Sequence, residues 1–236
     1  MSIEVIVPWR AGCAHRERAL RWATRRYRGL TLTVAEYDGD PWVKAMAVNP
    51  AVQRSSASVL VIADADVWSA GTAGAIEAVA SGDVQWAVPH TGVFRLTPDA
   101  TETVLRGAHP HRGMETIERP YRGIIGGGIV VAARETLQRV PLDPRFAGWG
   151  QEDVSWGNAL TTLAGHPWRG RAPLFHLWHP PAERADRRYG NENGKRLARR
   201  YATAMHDPDA MTALLLEAAS AHRPADAPLH HHAAHA

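Results

Sequence analysis

The chain carries, near its first third, the segment Ser58-Val59-Leu60-Val61-Ile62-Ala63-Asp64-Ala65-Asp66-Val67-Trp68. Its apolar part, Val59 to Ala63, predicts a strand that is buried on both faces. Because ligands bind where such strands end, we expect Asp64 and Asp66 at a binding crevice. Their side chains lie on the same side if the chain stays extended. Two adjacent carboxylates repel each other unless they hold a cation, and the alternative is a helix N-cap.

Strands and helices are predicted to alternate around this run. Apolar periodicity predicts strands at 3–7, 30–35 and 59–63, with helices at 16–28 and 42–56 between them. The second helix is expected to be interrupted or bent at Asn49-Pro50. The order β-α-β-α-β is typical of an α/β protein with a doubly wound, mostly parallel, Rossmann-like sheet that has helices on both faces.

The second half of the chain contains irregular and glycine-rich stretches. The segment 90–122 has weak periodicity and is predicted to form a lid or binding loop. The strand predicted at 123–132 holds Gly126, Gly127 and Gly128 in its middle, which a strand tolerates where another backbone or a ligand approaches closely. Further helices are expected at 71–80, 134–140, 154–164, 183–205 and 209–221, and further strands at 85–89 and 171–178.

Composition indicates one globular domain and excludes several classes of protein. The chain has 236 residues, of which 45% are hydrophobic, so a full core can form. A formal charge of +3 is too small to argue by itself for nucleic-acid binding. The single cysteine, Cys13, allows no disulfide framework and no cysteine-based zinc site within one chain. The N-terminus does not resemble a signal peptide and no stretch approaches the roughly 20 apolar residues of a membrane span, so a cytoplasmic protein is expected.

Two pairs of residues are candidates for chemistry at other predicted element ends. Glu152-Asp153 follows Gly148-Trp149-Gly150. A flat aromatic ring beside carboxylates suits a sugar, with one acid binding hydroxyls and the other acting as general base, whereas helix N-terminal acids are the alternative. His176 and His179 lie at the end of the last strand, where imidazole joins carboxylate in binding Mn²⁺ or a similar divalent ion. The alternative is a buried structural histidine.

The ends of the first two strands carry candidates for nucleotide binding. Pro8-Trp9-Arg10 ends the first strand, where Arg10 suits a diphosphate and Trp9 can flank a base. Asp38 and Asp40 follow the second strand and can accept hydrogen bonds from a nucleoside. The alternatives are a strand-end turn with a surface arginine and ordinary turn chemistry.

Together these motifs resemble glycosyltransferases of the GT-A fold, and within them the β-1,4-galactosyltransferase and chondroitin-synthase type. The resemblance covers residues 3–200, and its most specific element is Gly-Trp-Gly-x-Glu-Asp at 148–153. The matching residues are Val7-Pro8-Trp9-Arg10, Arg16-Glu17-Arg18, Ala63-Asp64-Ala65-Asp66, Gly126-Gly127-Gly128, Phe146 to Asp153, and His179. The resemblance implies a single catalytic domain at 1–205, followed by a C-terminal helix at 206–221. Composition predicts a disordered tail, rich in His, Ala and Pro, at 222–236.

The resemblance also implies an activity and a set of site residues. The activity is a metal-dependent, inverting transfer of a hexosyl group from a nucleotide sugar, usually a UDP-sugar, to a hydroxyl. Asp66 and His179 are implied as Mn²⁺ ligands through a DxD motif, and His176 as a third ligand where the galactosyltransferases have a soft one. Glu152 is implied to bind hydroxyls and Asp153 to act as general base. The nucleotide-sugar pocket is expected to include Pro8, Trp9, Arg10, Asp38, Asp64 and Trp149.

Other functions stay open at this point. The acceptor can be a glycan, a protein or a modified nucleic acid. A non-catalytic nucleotide-sugar or nucleic-acid binding module is the main alternative, supported by basic faces at 16–28 and 184–200, and a retaining transferase on the same fold is another. The lack of a membrane stem, unlike the Golgi enzymes of the family, implies a bacterial or phage-type soluble protein.

Overall fold

The computed structural model of the chain describes residues 1–148, 150–180 and 191–221. The strands in these ranges are β1 (Ile3–Trp9), β2 (Thr31–Glu36), β3 (Val59–Ala63), β4 (Val67–Trp68), β5 (Trp86–Arg95), β6 (Tyr121–Arg122), β7 (Ile129–Ala133) and β8 (Trp168–His176). The helices are α1 (Ala14–Arg26), α2 (Lys44–Arg54), α3 (Thr72–Ala80), α4 (Pro98–Leu105), α5 (Arg134–Arg139), α6 (Glu152–Ala164), α7 (Glu192–Thr203) and α8 (Pro208–Ala221). The predicted order β-α-β-α-β is confirmed.

All these strands belong to one sheet, in the order β2-β1-β3-β7-β5-β8-β4, with β6 paired to β5. β1 is parallel to β2 and β3, and β5 is parallel to β8, whereas β7 runs antiparallel between β3 and β5. Five strands, β1, β2, β3, β5 and β8, therefore point the same way, which confirms the mostly parallel α/β sheet. Their carboxyl ends meet at one edge, and this edge carries the candidate site.

The sheet is covered on both faces, as the continuous apolar run of β3 predicts. Val59 and Val61 belong to one buried cluster, which includes Ile76 of α3, and Leu60 and Ile62 belong to the other. Side chains alternate along a strand, so a strand between two helical layers is apolar at every position. The second cluster continues into buried residues of α2, α6, α7 and α8.

The C-terminal helices belong to the same core as the sheet. Met211 and Leu214 of α8 and Tyr201 of α7 are buried in the cluster that includes β3. The chain therefore folds as a single domain through residue 221. The start of the helix predicted at 183–205 and the tail predicted at 222–236 lie outside the described residues. None of the helices in the described ranges is both long and apolar enough to cross a bilayer.

Two local predictions are wrong, and one alternative of a third is excluded. The segment 90–122 is not an unstructured loop throughout, because β5 continues to Arg95 beside β8 and α4 follows. The three glycines do not lie within a strand, because they form the turn that enters β7. The helix α2 is not interrupted at Pro50, which was one of the two alternatives expected there, and the side chain of Asn49 exchanges hydrogen bonds with the backbone of Leu142.

Candidate functional site

A cleft of roughly 620 Å³ lies at the edge where the carboxyl ends of the parallel strands meet. Its lining residues come from the ends of β1, β3 and β8, the first turns of α1, α2 and α6, and the loops before α2 and α6. They are Arg10, Arg16, Asp40, Pro41, Trp42, Lys44, Asp64, Asp66, Gly148, Glu152, Asp153, His176 and His179. Five carboxyl groups therefore face three permanently cationic side chains, a composition that favours an additional cation.

Asp66 lies with both predicted histidines in one group. One ligand atom from each of Asp66, His176 and His179 lies within 4.8 Å of the others. Oδ2 of Asp66 is 3.2 Å from Nε2 of His179, and Oδ1 is 3.9 Å from Nε2 of His176. The sequence separates these residues by more than a hundred positions, and the pairing of β4 with β8 brings them together.

The two carboxylates of the Asp-x-Asp motif face different partners. The chain turns after Ala63, and the backbone N–H of Val67 donates to the carbonyl of Asp64 at 3.4 Å. The chain is therefore not extended here, and the expectation that both side chains lie on the same side does not hold. Asp66 faces the histidines, and Asp64 faces Lys44 at 2.9 Å.

The hydrogen bonds of the two imidazoles fit a metal site. Nδ1 of His176 lies 2.9 Å from the carbonyl oxygen of Leu177, and Nδ1 of His179 lies 2.7 Å from that of Pro180. A carbonyl oxygen only accepts, so each Nδ1 carries the proton, and Nε2 of the neutral ring presents a lone pair toward Asp66. Two lone pairs and a carboxylate that face each other need a proton or a cation between them. Backbone acceptors of this kind orient metal-bound histidines in proteins.

Asp66 is held in its ionised form by its neighbours. It is only 3% exposed, and burial alone raises its pKa. The imidazoles of His176 and His179, when they are protonated, and the guanidinium of Arg16 outweigh burial and hold the pKa of Asp66 below its usual range. Arg16 approaches Oδ2 of Asp66 at 3.4 Å through Nε, which is buried and makes no hydrogen bond within the described residues.

Lys44 joins the two acidic parts of the cleft, and sequence reasoning did not identify it. Its Nζ lies 2.9 Å from Oδ1 of Asp64 and 3.1 Å from Oδ1 of Asp153. Burial lowers the pKa of Lys44, but the charges of Asp153 and Asp64 outweigh it and raise the pKa, so the ammonium stays charged. One feature of the sequence could have drawn attention to Lys44, because lysine is rare in this chain. The chain has only two lysines, Lys44 and Lys195, among many arginines.

Glu152 and Asp153 begin α6, and the pKa of each is raised. Burial, followed by the charge of Asp153, raises the pKa of Glu152 to about 7, although Lys44 opposes the shift. Burial also raises the pKa of Asp153, and the charge of Lys44 opposes this too. A carboxyl group with a raised pKa beside a fixed cation suits proton transfer near neutral pH.

The turn formed by Gly126, Gly127 and Gly128 packs against the first turns of α6. A Cβ at Gly126 would clash with the carbonyl oxygen of Asp153, and a Cβ at Gly157 would clash with that of Ile125. Gly126 also has a φ of 99°, which disfavours other residues. The backbone N–H of Asp64 donates to the carbonyl of Gly128 at 2.9 Å. The close approach predicted from these glycines is therefore to another backbone.

The loop before α6 adopts the left-handed backbone conformation at three positions. The φ angles are 81° at Gly148, 103° at Gly150 and 74° at Gln151, the last being unusual for a residue with a side chain. The N–H of Gly148 donates to the carbonyl of Trp42 at 2.7 Å, and Asn191 donates to the carbonyl of Ala147 at 2.9 Å. Ala147 and Gly148 are thus anchored to two separate parts of the chain, the segment before α2 and the segment before α7.

The residues predicted for the nucleotide pocket fall in several places. Arg10 lines the cleft and pairs with Asp40 at 3.6 Å, whereas Asp38 is exposed and is not among the lining residues. Pro8 is buried within β1, where it lies opposite Ala35.

Of the two aromatic residues of the predicted pocket, the structure describes Trp9 but not Trp149. Trp9 is buried in the core, and the guanidinium of Arg16 lies 5.8 Å from the centre of its ring. This places Trp9 behind Arg16, whose Nε contacts Asp66. Trp149 lies outside the described residues. The binding roles of these residues stay predictions.

Comparisons with known proteins find likeness in structure. No family model matches the chain, and no curated protein matches it either. Glucosyl-3-phosphoglycerate synthase from Mycobacterium tuberculosis, solved with Mn²⁺, UDP and phosphoglyceric acid, is 15% identical over 92% of this chain and 78% of its own, with a TM-score of 0.51. GalNAc-T7, solved with UDP, GalNAc and Mn²⁺, is 12% identical with a TM-score of 0.54. That match covers 92% of this chain and 55% of GalNAc-T7. Likeness at this level shows a shared fold across nearly the whole chain.

Proposed function

Because the chain has the GT-A fold of these glycosyltransferases, we propose that it moves a sugar from a nucleotide sugar to an acceptor hydroxyl with inversion. The preferred donor is a UDP-sugar. The observation that carries the proposal is that a metal-ligand set and a perturbed acid pair line the same cleft. Both compared proteins were solved with UDP and Mn²⁺, which supports a nucleotide donor and a divalent ion here.

Asp66, His176 and His179 would hold the divalent cation. One carboxylate and two imidazoles favour Mn²⁺ or a metal of similar preference over Mg²⁺, which prefers oxygen ligands. When bound, such an ion neutralises the negative charge that develops on the leaving diphosphate. The cleft holds more carboxyl groups than cationic side chains. The same ion would therefore also reduce the repulsion among these carboxylates before the substrate binds.

Two basic residues that line the cleft, Arg10 and Arg16, would bind the donor. Arg10 stands at the end of β1 and Arg16 in the first turn of α1, and both line the cleft. Guanidinium groups bind phosphate oxygens through paired hydrogen bonds. Trp9 positions Arg16 through their ring contact, and Asp64 supports the donor from the turn after β3. Trp149 completes the proposed donor pocket, and Pro8 and Asp38, which do not line the cleft, would support it from the ends of β1 and β2.

Asp153 would be the general base. Lys44 occupies its Oδ1, which leaves Oδ2 for the acceptor. A Cβ at Gly127 would lie 3.3 Å from Oδ2, so the missing side chain there leaves this oxygen accessible. In the reaction the acceptor O–H bond breaks and its proton passes to Oδ2. The acceptor oxygen attacks the anomeric carbon on the face opposite the diphosphate, and the bond from that carbon to the diphosphate oxygen breaks, so that the diphosphate leaves with the electron pair. Glu152 binds sugar hydroxyls beside it.

A donor panel tests this function. The full chain is incubated with UDP- and GDP-sugars, with Mn²⁺ or with EDTA, and free nucleotide diphosphate is measured. Slow hydrolysis of at least one sugar nucleotide that requires Mn²⁺ supports the proposal. Turnover at equal rates with Mn²⁺ and EDTA would contradict the metal dependence. No turnover of any donor would contradict the transferase function and favour a non-catalytic binding module.

The stereochemical outcome needs its own measurement, because a retaining transferase would use the same metal site. Proton NMR of the first sugar product reports the anomer before it equilibrates in water. The assignment of Asp153 as base requires inversion, and a retained anomer would remove that assignment without removing the metal site.

A further inference from the structure

A second concave site lies at the carboxyl ends of α1 and α4. It has a volume of roughly 350 Å³, and its lining includes Trp22, Leu105 and four arginines: Arg25, Arg26, Arg28 and Arg106. We refer to it as the α1–α4 pocket. Arg16, at the other end of α1, contacts Asp66 in the cleft. Ten residues of helix separate Arg16 from Arg26, which corresponds to about 15 Å along the axis. The pocket is therefore distinct from the cleft.

The four arginines form no ion pair with an acid among the described residues, although the charge of Arg106 acts on nearby Glu102. None of them forms an ion pair or a side-chain hydrogen bond there, and no carboxylate is among the residues that line the pocket. The nearby carboxylate of Glu102 is already bound by Arg18 through both oxygens, at 2.6 and 2.7 Å. Elsewhere in the chain, arginines such as Arg145 and Arg200 pair with acids. The pocket therefore holds four guanidinium groups that form no ion pair within the described part of the chain.

Helix dipoles offset only part of this charge. Each helix C-terminus carries roughly half a negative charge, so α1 and α4 together supply about one against four guanidinium groups. The remaining repulsion is reduced most effectively by an anion. Arg26 is also held in place, since its guanidinium lies 4.7 Å from the ring centre of Trp22 and 5.5 Å from that of Trp68. A guanidinium already ordered by aromatic rings loses less conformational freedom on binding a ligand.

We propose that the α1–α4 pocket binds a phosphate group. The planar fork of arginine matches phosphate oxygens, and four such groups around one concavity can surround a multiply charged phosphate. Leu105 and the ring of Trp22 give the pocket an apolar wall beside the charges. The site does not depend on the function proposed for the cleft, because it shares no lining residue with the cleft.

Calorimetric titration with inorganic pyrophosphate, at low ionic strength and with EDTA present, tests this proposal. The wild-type chain should bind pyrophosphate saturably, and Arg106→Gln should weaken binding by at least about fivefold. Arg26→Gln should weaken it similarly, and Arg28→Gln serves in its place if removing the Trp22 contact prevents folding, which circular dichroism reports. Arg21→Gln is the matched control, because Arg21 is an exposed arginine of α1 outside the pocket, and it should change affinity by less than about twofold.

Three outcomes would overturn the proposal. One is a titration without saturation. Another is an equal loss of affinity for pyrophosphate in Arg21→Gln and Arg106→Gln, which would assign binding to the general basic surface of α1. The last is weaker binding of pyrophosphate by Arg10→Gln while the pocket variants bind it like wild type, which would place the pyrophosphate in the cleft. Because no metal, nucleotide or turnover is involved, failure here leaves the transferase proposal unaffected.

Discussion

The ammonium of Lys44 donates a hydrogen bond to Oδ1 of Asp153 at 3.1 Å. The same Nζ lies 2.9 Å from Asp64, so one lysine at the start of α2 joins the turn after β3 to the first turn of α6. This contact fixes the orientation of Asp153. Burial raises the pKa of Asp153, and the charge of Lys44 offsets part of that increase. We infer that Lys44 is a positioning residue for the proposed base.

Replacing Lys44 with methionine should damage catalysis and move its pH dependence. We expect kcat/KM to fall by about 100-fold, a size typical of a disturbed general base. Because the charge of Lys44 lowers the pKa of Asp153, its removal should shift the acidic limb of the pH profile to higher pH. Lys195→Met is the control, since Lys195 lies on α7 outside the cleft. An acidic limb that stays in place would show that Lys44 does not act on the base.

Asp153→Asn should abolish transfer while leaving donor binding intact. The amide keeps the shape of the side chain but cannot accept the acceptor proton, so turnover should fall by at least about 100-fold. Affinity for UDP with Mn²⁺ should change little, because Asp153 is not in the Asp66–His176–His179 group. Asp209→Asn, at an exposed position in the first turn of α8, is the control. A fully active Asp153→Asn would eliminate this residue as the base.

Glu152 should make folding stability depend on pH. Its pKa in the folded chain is raised to about 7, whereas an unfolded glutamate titrates near 4.5. Between these values the folded state binds more protons than the unfolded state, so this residue's contribution to the free energy of unfolding decreases as pH rises from about 4.5 to about 7. The neutral variant Glu152→Gln should escape this loss and be more stable than wild type above about pH 7, by on the order of 1–3 kcal/mol.

Urea unfolding of Glu152→Gln at about pH 8 and about pH 5 measures this difference. The advantage of the variant should be clear at the higher pH and much smaller at the lower one. Glu135→Gln removes an exposed acid from the first turn of α5 and should show no such trend. An equal stability difference at both pH values would show that Glu152 is not protonated at neutral pH in the folded chain.

Two glycine substitutions should change stability in opposite directions. A Cβ at Gly157 would clash with the carbonyl of Ile125, so Gly157→Ala should destabilise the fold by about 1–3 kcal/mol. Gly74 lies within α3, where a Cβ would meet the ring of Trp168 at 3.4 Å, an ordinary contact. Gly74→Ala should stabilise the fold by about 0.4–1 kcal/mol. Thermal unfolding of both variants tests the packing of the glycine turn against α6. A melting temperature of Gly157→Ala equal to that of wild type would contradict this packing.

The sequence predicts best what depends on one element alone. The apolar run at Val59–Ala63 forms β3 with the predicted bounds, because burial on both faces leaves a signal in every residue. The continuation of β5 through 90–95 was not predicted. Its pairing with β8 contains register shifts at Val88/His90 and His90/Gly92, and these irregularities remove the simple alternation that identifies a strand.

The site is predictable to the extent that its residues belong to recognisable strand ends. Asp66, His176 and His179 were predicted as a group, and the structure brings them together. Lys44 was missed because nothing local marks it, since its partners Asp64 and Asp153 come from two distant elements. The turn that separates Asp64 from Asp66 was also missed, because an Asp-x-Asp pattern fits an extended strand as well as a turn.

Calorimetric titration of the full chain with UDP, in the presence and absence of Mn²⁺, tests the central claim most directly. We expect saturable binding of UDP with Mn²⁺, at least about tenfold weaker binding without it, and a comparable loss in Asp66→Asn with Mn²⁺ present. Asp83→Asn, an exposed aspartate outside the cleft, should bind like wild type. Binding of UDP that is indifferent to Mn²⁺, or that survives unchanged in Asp66→Asn, would contradict a metal-dependent nucleotide-sugar site in this cleft.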